Sequence, residues 1–336
     1  MKELLALVRS ALENRPLCGP DFDWLCQWDS TVWNVIRTEA KVQSVFGLVY
    51  QAVSLLPPGT PIPENILFIL VAEGESVAAQ SRSMSSAART MTGRMTGLGL
   101  HPRVMKGEET ARFYPEPSLR GYGDIDLLLP EDEVDTAISS LEGEGYAVRK
   151  EADGSFHFEY DGIDVDVHTR YYDLSLPPSR LPEPFTPEGT ILMLLAHALK
   201  HAMGVGAGLR QVCDVAAAFS ALEGQYDPEA LREACSKAGI LQWTRLICRF
   251  LSCYLGIPDP LFTENRISPE PLLKLVQEGG NFGHHGSGRQ QALERSSLRR
   301  KADTAFRFLR HLPFSLQYAP REIFPHIREL IRGNLD

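Results

Sequence analysis

The chain has 336 residues, 43% of them hydrophobic and 23% charged, with a formal net charge of −9. That length allows two or three domains, and the composition is ordinary for a soluble globular protein. The acidic balance argues against a coat for long nucleic acid, and no run approaches the roughly 18 apolar residues that span a membrane.

The six cysteines (Cys18, Cys26, Cys213, Cys235, Cys248 and Cys253) form no C-x-x-C pair, which suits free thiols in a reducing compartment. The opening MKELLALVRSALENRP reads as a charged amphipathic helix and not as a signal peptide. A cytoplasmic protein without a membrane partner is expected.

Residues 1 to 98 read as a helical region. Leu4, Leu5, Val8 and Leu12 recur at helical spacing, and TVWNVIRTEAKVQSVFGLVYQAV continues the pattern to the break at LLPPGTPIP. One long helix then runs to Gly97 and Gly99, its Met/Ala stripe suited to packing. The periodicity changes at residue 101. HPRVMKGEE predicts a short strand and a turn, and DIDLLLP a strand. EDEVDTAISSLEGEG predicts a helix that opens on acids and closes at glycines. From Tyr146 to Asp173 the pattern is of short antiparallel strands, turning at Asp153–Gly154 and Asp161–Gly162. Residues 99–176 therefore form a small α+β core with a mixed sheet. A Pro-rich linker leads to a second helical region, 186–336, where Thr186 and Pro187 make an N-cap and N1 pair. Near its end, a glycine-rich loop over 279–288 precedes a basic stretch from Arg289. An amphipathic helix facing solvent suits that stretch, as does a docking surface for an acidic or nucleic-acid acceptor.

Alternate side chains of a strand share a face, so Asp124 and Asp126 point one way while Ile125 and Leu127 point into the core. GIDVDVHTR repeats the arrangement with Asp164, Asp166 and His168. Should the two strands be neighbours, their carboxylates converge. Unpaired anions that close raise each other's pKa, and a divalent cation with a taste for hard oxygen ligands reverses that cost. The plainer reading, in which the aspartates cap strand ends and face water, stands beside it. Upstream, Lys106 and Gly107 follow a short strand. A glycine there lets backbone N–H groups approach a polyphosphate, and the lysine supplies a mobile point charge. Arg120 offers a fork for bidentate phosphate contact.

These blocks together resemble the DNA polymerase β-like nucleotidyltransferase superfamily, and within it the bacterial group of uncharacterised nucleotidyltransferases. The blocks are V-M-K-G (104–107), R-G-Y-G-D-I-D-L-L-L (120–129), D-V-H (166–168) and H-A-L-K-H (197–201). Arg210, Asp214 and the GGNFGHH stretch (279–285) extend the similarity. Two positions differ from the pattern: Lys106–Gly107–Glu108 stands where a Gly-Ser turn is usual, and Asp166 where the group more often has Glu. The resemblance implies a Mg²⁺-dependent nucleotidyltransferase, Mn²⁺ being an alternative ion, that moves an NMP from an NTP onto an unidentified acceptor and releases pyrophosphate. It implies that Asp124, Asp126 and Asp166 hold the metal and are catalytic. Lys106, Gly107, Arg120, His168 and Lys200 are then expected at the substrate. The acceptor's identity stays open among a small molecule, a peptide, a protein and an RNA end. A catalytically silent member that binds a nucleotide or a partner is the alternative, and a kinase-like phosphotransferase a third reading.

His197, Lys200 and His201 share one helix face at i, i+3 and i+4. That spacing suits ordinary packing, zinc, or a face closing over a nucleotide with Lys200 on phosphate; the glutamate of an H-E-x-x-H motif is absent. His284 and His285 lie in the glycine loop as a lid or an inert segment.

Overall fold

A computed structural model describes residues 1–151, 153–204, 206–280 and 310–332. Five helices come first: α1 (Lys2–Glu13), α2 (Gly19–Leu25), α3 (Ser30–Val42), α4 (Phe46–Ser54) and α5 (Glu64–Gly97). The predicted continuous pattern across α3 and α4 is broken at Ser44, whose φ of 52° is left-handed. The reason is tertiary. The buried Gln43 amide donates to the Val276 carbonyl and accepts from the Leu209 N–H, each at 2.8 Å. Local periodicity carries no sign of partners so distant in sequence.

The central region is β1 (Arg103–Met105), α6 (Gly107–Ala111), β2 (Asp124–Leu128), α7 (Val134–Gly143), β3 (Arg149–Lys150), β4 (Phe156–Tyr160) and β5 (Ile163–His168). The sheet order is β1-β2-β5-β4-β3, with β2 and β5 parallel and the other pairs antiparallel. The fold is thus α+β with a small mixed sheet, helices preceding and following it. The left-handed Asp161 and Gly162 make the tight turn from β4 to β5 that the Asp-Gly pair predicts.

The helices that follow are α8 (Pro187–Met203), α9 (Leu209–Ala221), α10 (Pro228–Lys237), α11 (Leu241–Tyr254) and α12 (Glu270–Gly279). After a helical segment over 310–318 comes α13 (Ile323–Arg332). The Thr186 hydroxyl accepts from the Gly189 N–H at 3.1 Å, so α8 starts at the predicted cap.

Two cores divide the apolar residues. The larger joins the first helices to the last, running from Leu4 through Trp33, Leu195 and Trp243 to Ile323. The smaller lies under one face of the sheet: Ile125, Leu127, Val165, Val167, Phe156 and Phe158 pack with Leu141 of α7 and with Met84, Ala88, Met91 and Met95 of α5. Helix α5 belongs to both, because Ile66 and Leu70 near its start lie in the larger core. Its Met/Ala stripe is packing surface. Among the described residues, no helix is long and apolar enough to cross a membrane. The predicted loop from residue 281 onward, with His284 and His285, and the basic stretch up to residue 309 lie outside the described residues.

Candidate active site

Parallel pairing of β2 and β5 sets Asp124 opposite Asp164 and Asp126 opposite Asp166. Because strand side chains alternate, the intervening Ile125, Leu127, Val165 and Val167 all turn to the sheet core. Four carboxylates therefore share the other face. Burial pushes the Asp124 carboxyl up, and the charge of Asp126 adds to the rise. Asp166 is raised for the same two reasons in the same order. Asp126 is buried too, but the neighbouring Lys106 and a hydrogen bond from His168 outweigh the burial and hold it well below the usual carboxylate range. Asp164 is exposed.

Lys106 connects β1 to α6. Its ammonium lies 3.2 Å from Asp126 Oδ1, and His168 donates to the same oxygen through Nε2 at 2.7 Å. The ammonium stands 3.3 Å from that His168 nitrogen. Lys106 and Asp126 are each only 8% exposed. The turn that carries the lysine is strained: Lys106 has φ 52° and ψ −117°, a region glycine fills readily and other residues seldom do. Gly107 itself opens the five-residue α6, where a Cβ would come within 3.1 Å of the Tyr122 ring. The positive φ at this turn is carried by the lysine and not by the glycine beside it.

Helix α8 presents His197, Lys200 and His201. Lys200 donates to Asp173 Oδ1 at 2.9 Å, and His197 Nδ1 lies 3.4 Å from Oδ2 of the same aspartate. Burial raises Asp173, but Lys200, Lys106 and His197 prevail and hold it well below its ordinary range. With its Nδ1–H donated to Asp173, a neutral His197 has an accepting Nε2, which lies 3.2 Å from Nε2 of His201. Burial keeps both rings below the ordinary histidine range, and for His201 the neighbouring His197, Lys200 and Arg210 act in the same direction. Asp173 is the residue sequence patterns miss. It sits in the plain stretch YYD, and only its contacts to α8 and its proximity to Lys106 mark it.

Arg120 is placed differently from the phosphate contact expected of it. Its Nε and Nη2 donate to the two carboxylate oxygens of Asp214 on α9 at 2.9 and 2.7 Å, and Nη1 donates to the Gly107 carbonyl at 3.2 Å. Tyr114 donates to Asp214 at 2.7 Å. Arg120 is 7% exposed and Asp214 3%. The fork thus fastens the Lys106–Gly107 turn and the start of β2 to the helical region. Arg210, one turn before Asp214, donates weakly to the Gly121 carbonyl at 3.4 Å and is close enough to Asp124 to lower its pKa.

The structure thus gathers Asp124, Asp126, Asp166, Lys106 and His168 at one patch, with Lys200 facing them through Asp173. Gly107 and Arg120 form the frame behind it. The donor set suits a hard divalent cation, since the repulsion that raises Asp124 and Asp166 is the kind a cation relieves. Among the described residues, no three His, Cys, Asp or Glu side chains are already grouped to hold a metal.

A family model described as uncharacterised nucleotidyltransferase matches residues 29–256, which takes in everything from α3 through α11. The chain belongs to the uncharacterised nucleotidyltransferase family. No curated protein and no solved structure matches it. The matched span includes every side chain described at the patch, from Lys106 to Asp214.

Proposed function

We propose that this protein transfers a nucleotidyl group from an NTP to an acceptor, releasing pyrophosphate, with Mg²⁺ as the metal and Mn²⁺ as a substitute. The observation that carries the reading is the β2–β5 register, which puts Asp126 and Asp166 side by side with Asp124 one step along the same face. A bound Mg²⁺ would neutralise the triphosphate and favour displacement at the α-phosphate. Asp124, Asp126 and Asp166 would hold it. Lys106 and Lys200, both beside Asp173, would be cations for the polyphosphate. The new bond joins the acceptor oxygen to the α-phosphorus, and the bond to the β-phosphate oxygen breaks. The acceptor's proton would go to Asp166, which stands beside Asp126 on the same face.

A silent, nucleotide-binding member is the second reading, and the ion pair of Lys106 with Asp126 favours it, because that pair closes one carboxylate oxygen. Incubation with each of the four NTPs labelled at the α-phosphate, with Mg²⁺ and lysate of the host cell, separates the two. Label on a product, lost in Asp166→Asn, supports transfer. Mg²⁺-dependent nucleotide binding without labelled product supports the silent member.

A further inference from the structure

Three carboxylates bear on one ammonium. Lys106 Nζ bonds Asp126 and is drawn also to Asp173 and Asp124. The chain holds the ammonium there at a cost, since Lys106 takes a backbone conformation suited to glycine while its neighbour Gly107 does not. The Arg120 fork secures this turn from behind through the Gly107 carbonyl. A strained, fastened turn that delivers one cation into an acidic cluster is a built feature of the site.

We propose that Lys106 is a tethered cation that competes with the divalent metal for Asp126. This deepens the nucleotidyltransferase reading and rests on it. In the nucleotide-free protein the ammonium neutralises the cluster, so a metal ion arriving alone finds Asp126 already paired and a positive charge beside it. A triphosphate gives Lys106 a second anion to face, which releases Asp126 to the metal. Metal and nucleotide thus enter together, and neither Asp126 nor Lys106 is left buried and unpaired.

The test measures Mn²⁺ binding without nucleotide, by paramagnetic resonance of the free ion, for the wild type, Lys106→Gly, Lys106→Met and Lys106→Arg. Glycine removes charge and strain, methionine removes charge alone, and arginine keeps the charge. The glycine and methionine variants are expected to bind Mn²⁺ about tenfold or more tightly than the wild type, the scale of one close charge pair, with arginine near the wild type. Equal affinity in the wild type and both neutral variants overturns the inference and leaves nucleotidyl transfer untouched. Failure of every form to bind Mn²⁺, even with a non-cleavable α,β-methylene NTP, defeats the metal-dependent reading and the inference with it. Should the neutral variants unfold in metal-free buffer, Mn²⁺ is expected to raise their melting temperature far more than that of the wild type. Absence of such rescue overturns the inference.

Discussion

Arg120 and Asp214, 94 residues apart in the chain, face each other fork to fork in the interior, both oxygens of the carboxylate accepting from the guanidinium. Burial disfavours each charge, and each other's presence more than restores it, holding Asp214 below its ordinary range and Arg120 above. Breaking such a pair leaves one buried charge without its partner. Arg120→Lys, which keeps the charge but loses the planar fork, is expected to destabilise the fold by about 3 kcal/mol in chemical denaturation. Asp214→Asn should do much the same, and the double variant should lose far less than the sum of the two.

The three candidate metal-binding aspartates should separate in a stability measurement. Asp124 and Asp166 are raised in the fold, so their ionised forms work against folding at neutral pH. Asp124→Asn and Asp166→Asn are expected to abolish Mg²⁺-dependent transfer and, in metal-free buffer, to stabilise the protein by roughly 0.5–1 kcal/mol. Asp126→Asn should also abolish transfer but cost about 3 kcal/mol, because it removes the carboxylate that pairs with the buried Lys106 ammonium. Urea titrations of the three variants decide whether this ordering holds.

Much of the site is legible in the residues. The period-two pattern of DIDLLL and IDVDVH puts the aspartates of each strand on one face, and the Asp-Gly turn at 161–162 places β5 after β4. What cannot be read there is partnership across the fold. An arginine four residues before D-x-D looks free for phosphate until Asp214 on α9 takes its fork. Asp173 carries no motif, and its weight comes from Lys200 and His197 on α8 and from Lys106 in the turn after β1. The break at Ser44 has the same origin, since Gln43 is held by α9 and α12. Each miss is a long-range polar contact, for which local periodicity has no signal.

The paired rings of His197 and His201 give stability a pH dependence. Both have folded pKa values below the ordinary 6.5, mainly through burial. A depressed base contributes stability above its unfolded pKa and loses it as the pH falls through the folded value. Unfolding free energy should therefore decline from about pH 6.5 downward. In His201→Gln the decline should be shallower. Asp126 and Asp173, also depressed, add a second loss only below about pH 3.8.

Gly47 on α4 packs against the turn Pro117–Leu119 that leads into Arg120; a Cβ there would lie 1.9 Å from the Leu119 carbonyl oxygen. That atom is backbone and cannot rotate away. Gly47→Ala is expected to cost about 2–3 kcal/mol. It should also lower transfer by displacing Arg120 and the Lys106–Gly107 turn it supports, a loss checked by specific activity of the folded fraction.

The most direct measurement follows both ends of the triphosphate in parallel reactions, one labelled at the α-phosphate and one at the γ-phosphate, with Mg²⁺ and lysate. A carboxylate patch built across β2 and β5 for nucleotidyl transfer predicts α-label on the acceptor and γ-label in pyrophosphate, both lost in Asp166→Asn. Label from the γ-phosphate on the acceptor, with the α-label left in a nucleoside diphosphate, would contradict it and make the protein a phosphotransferase.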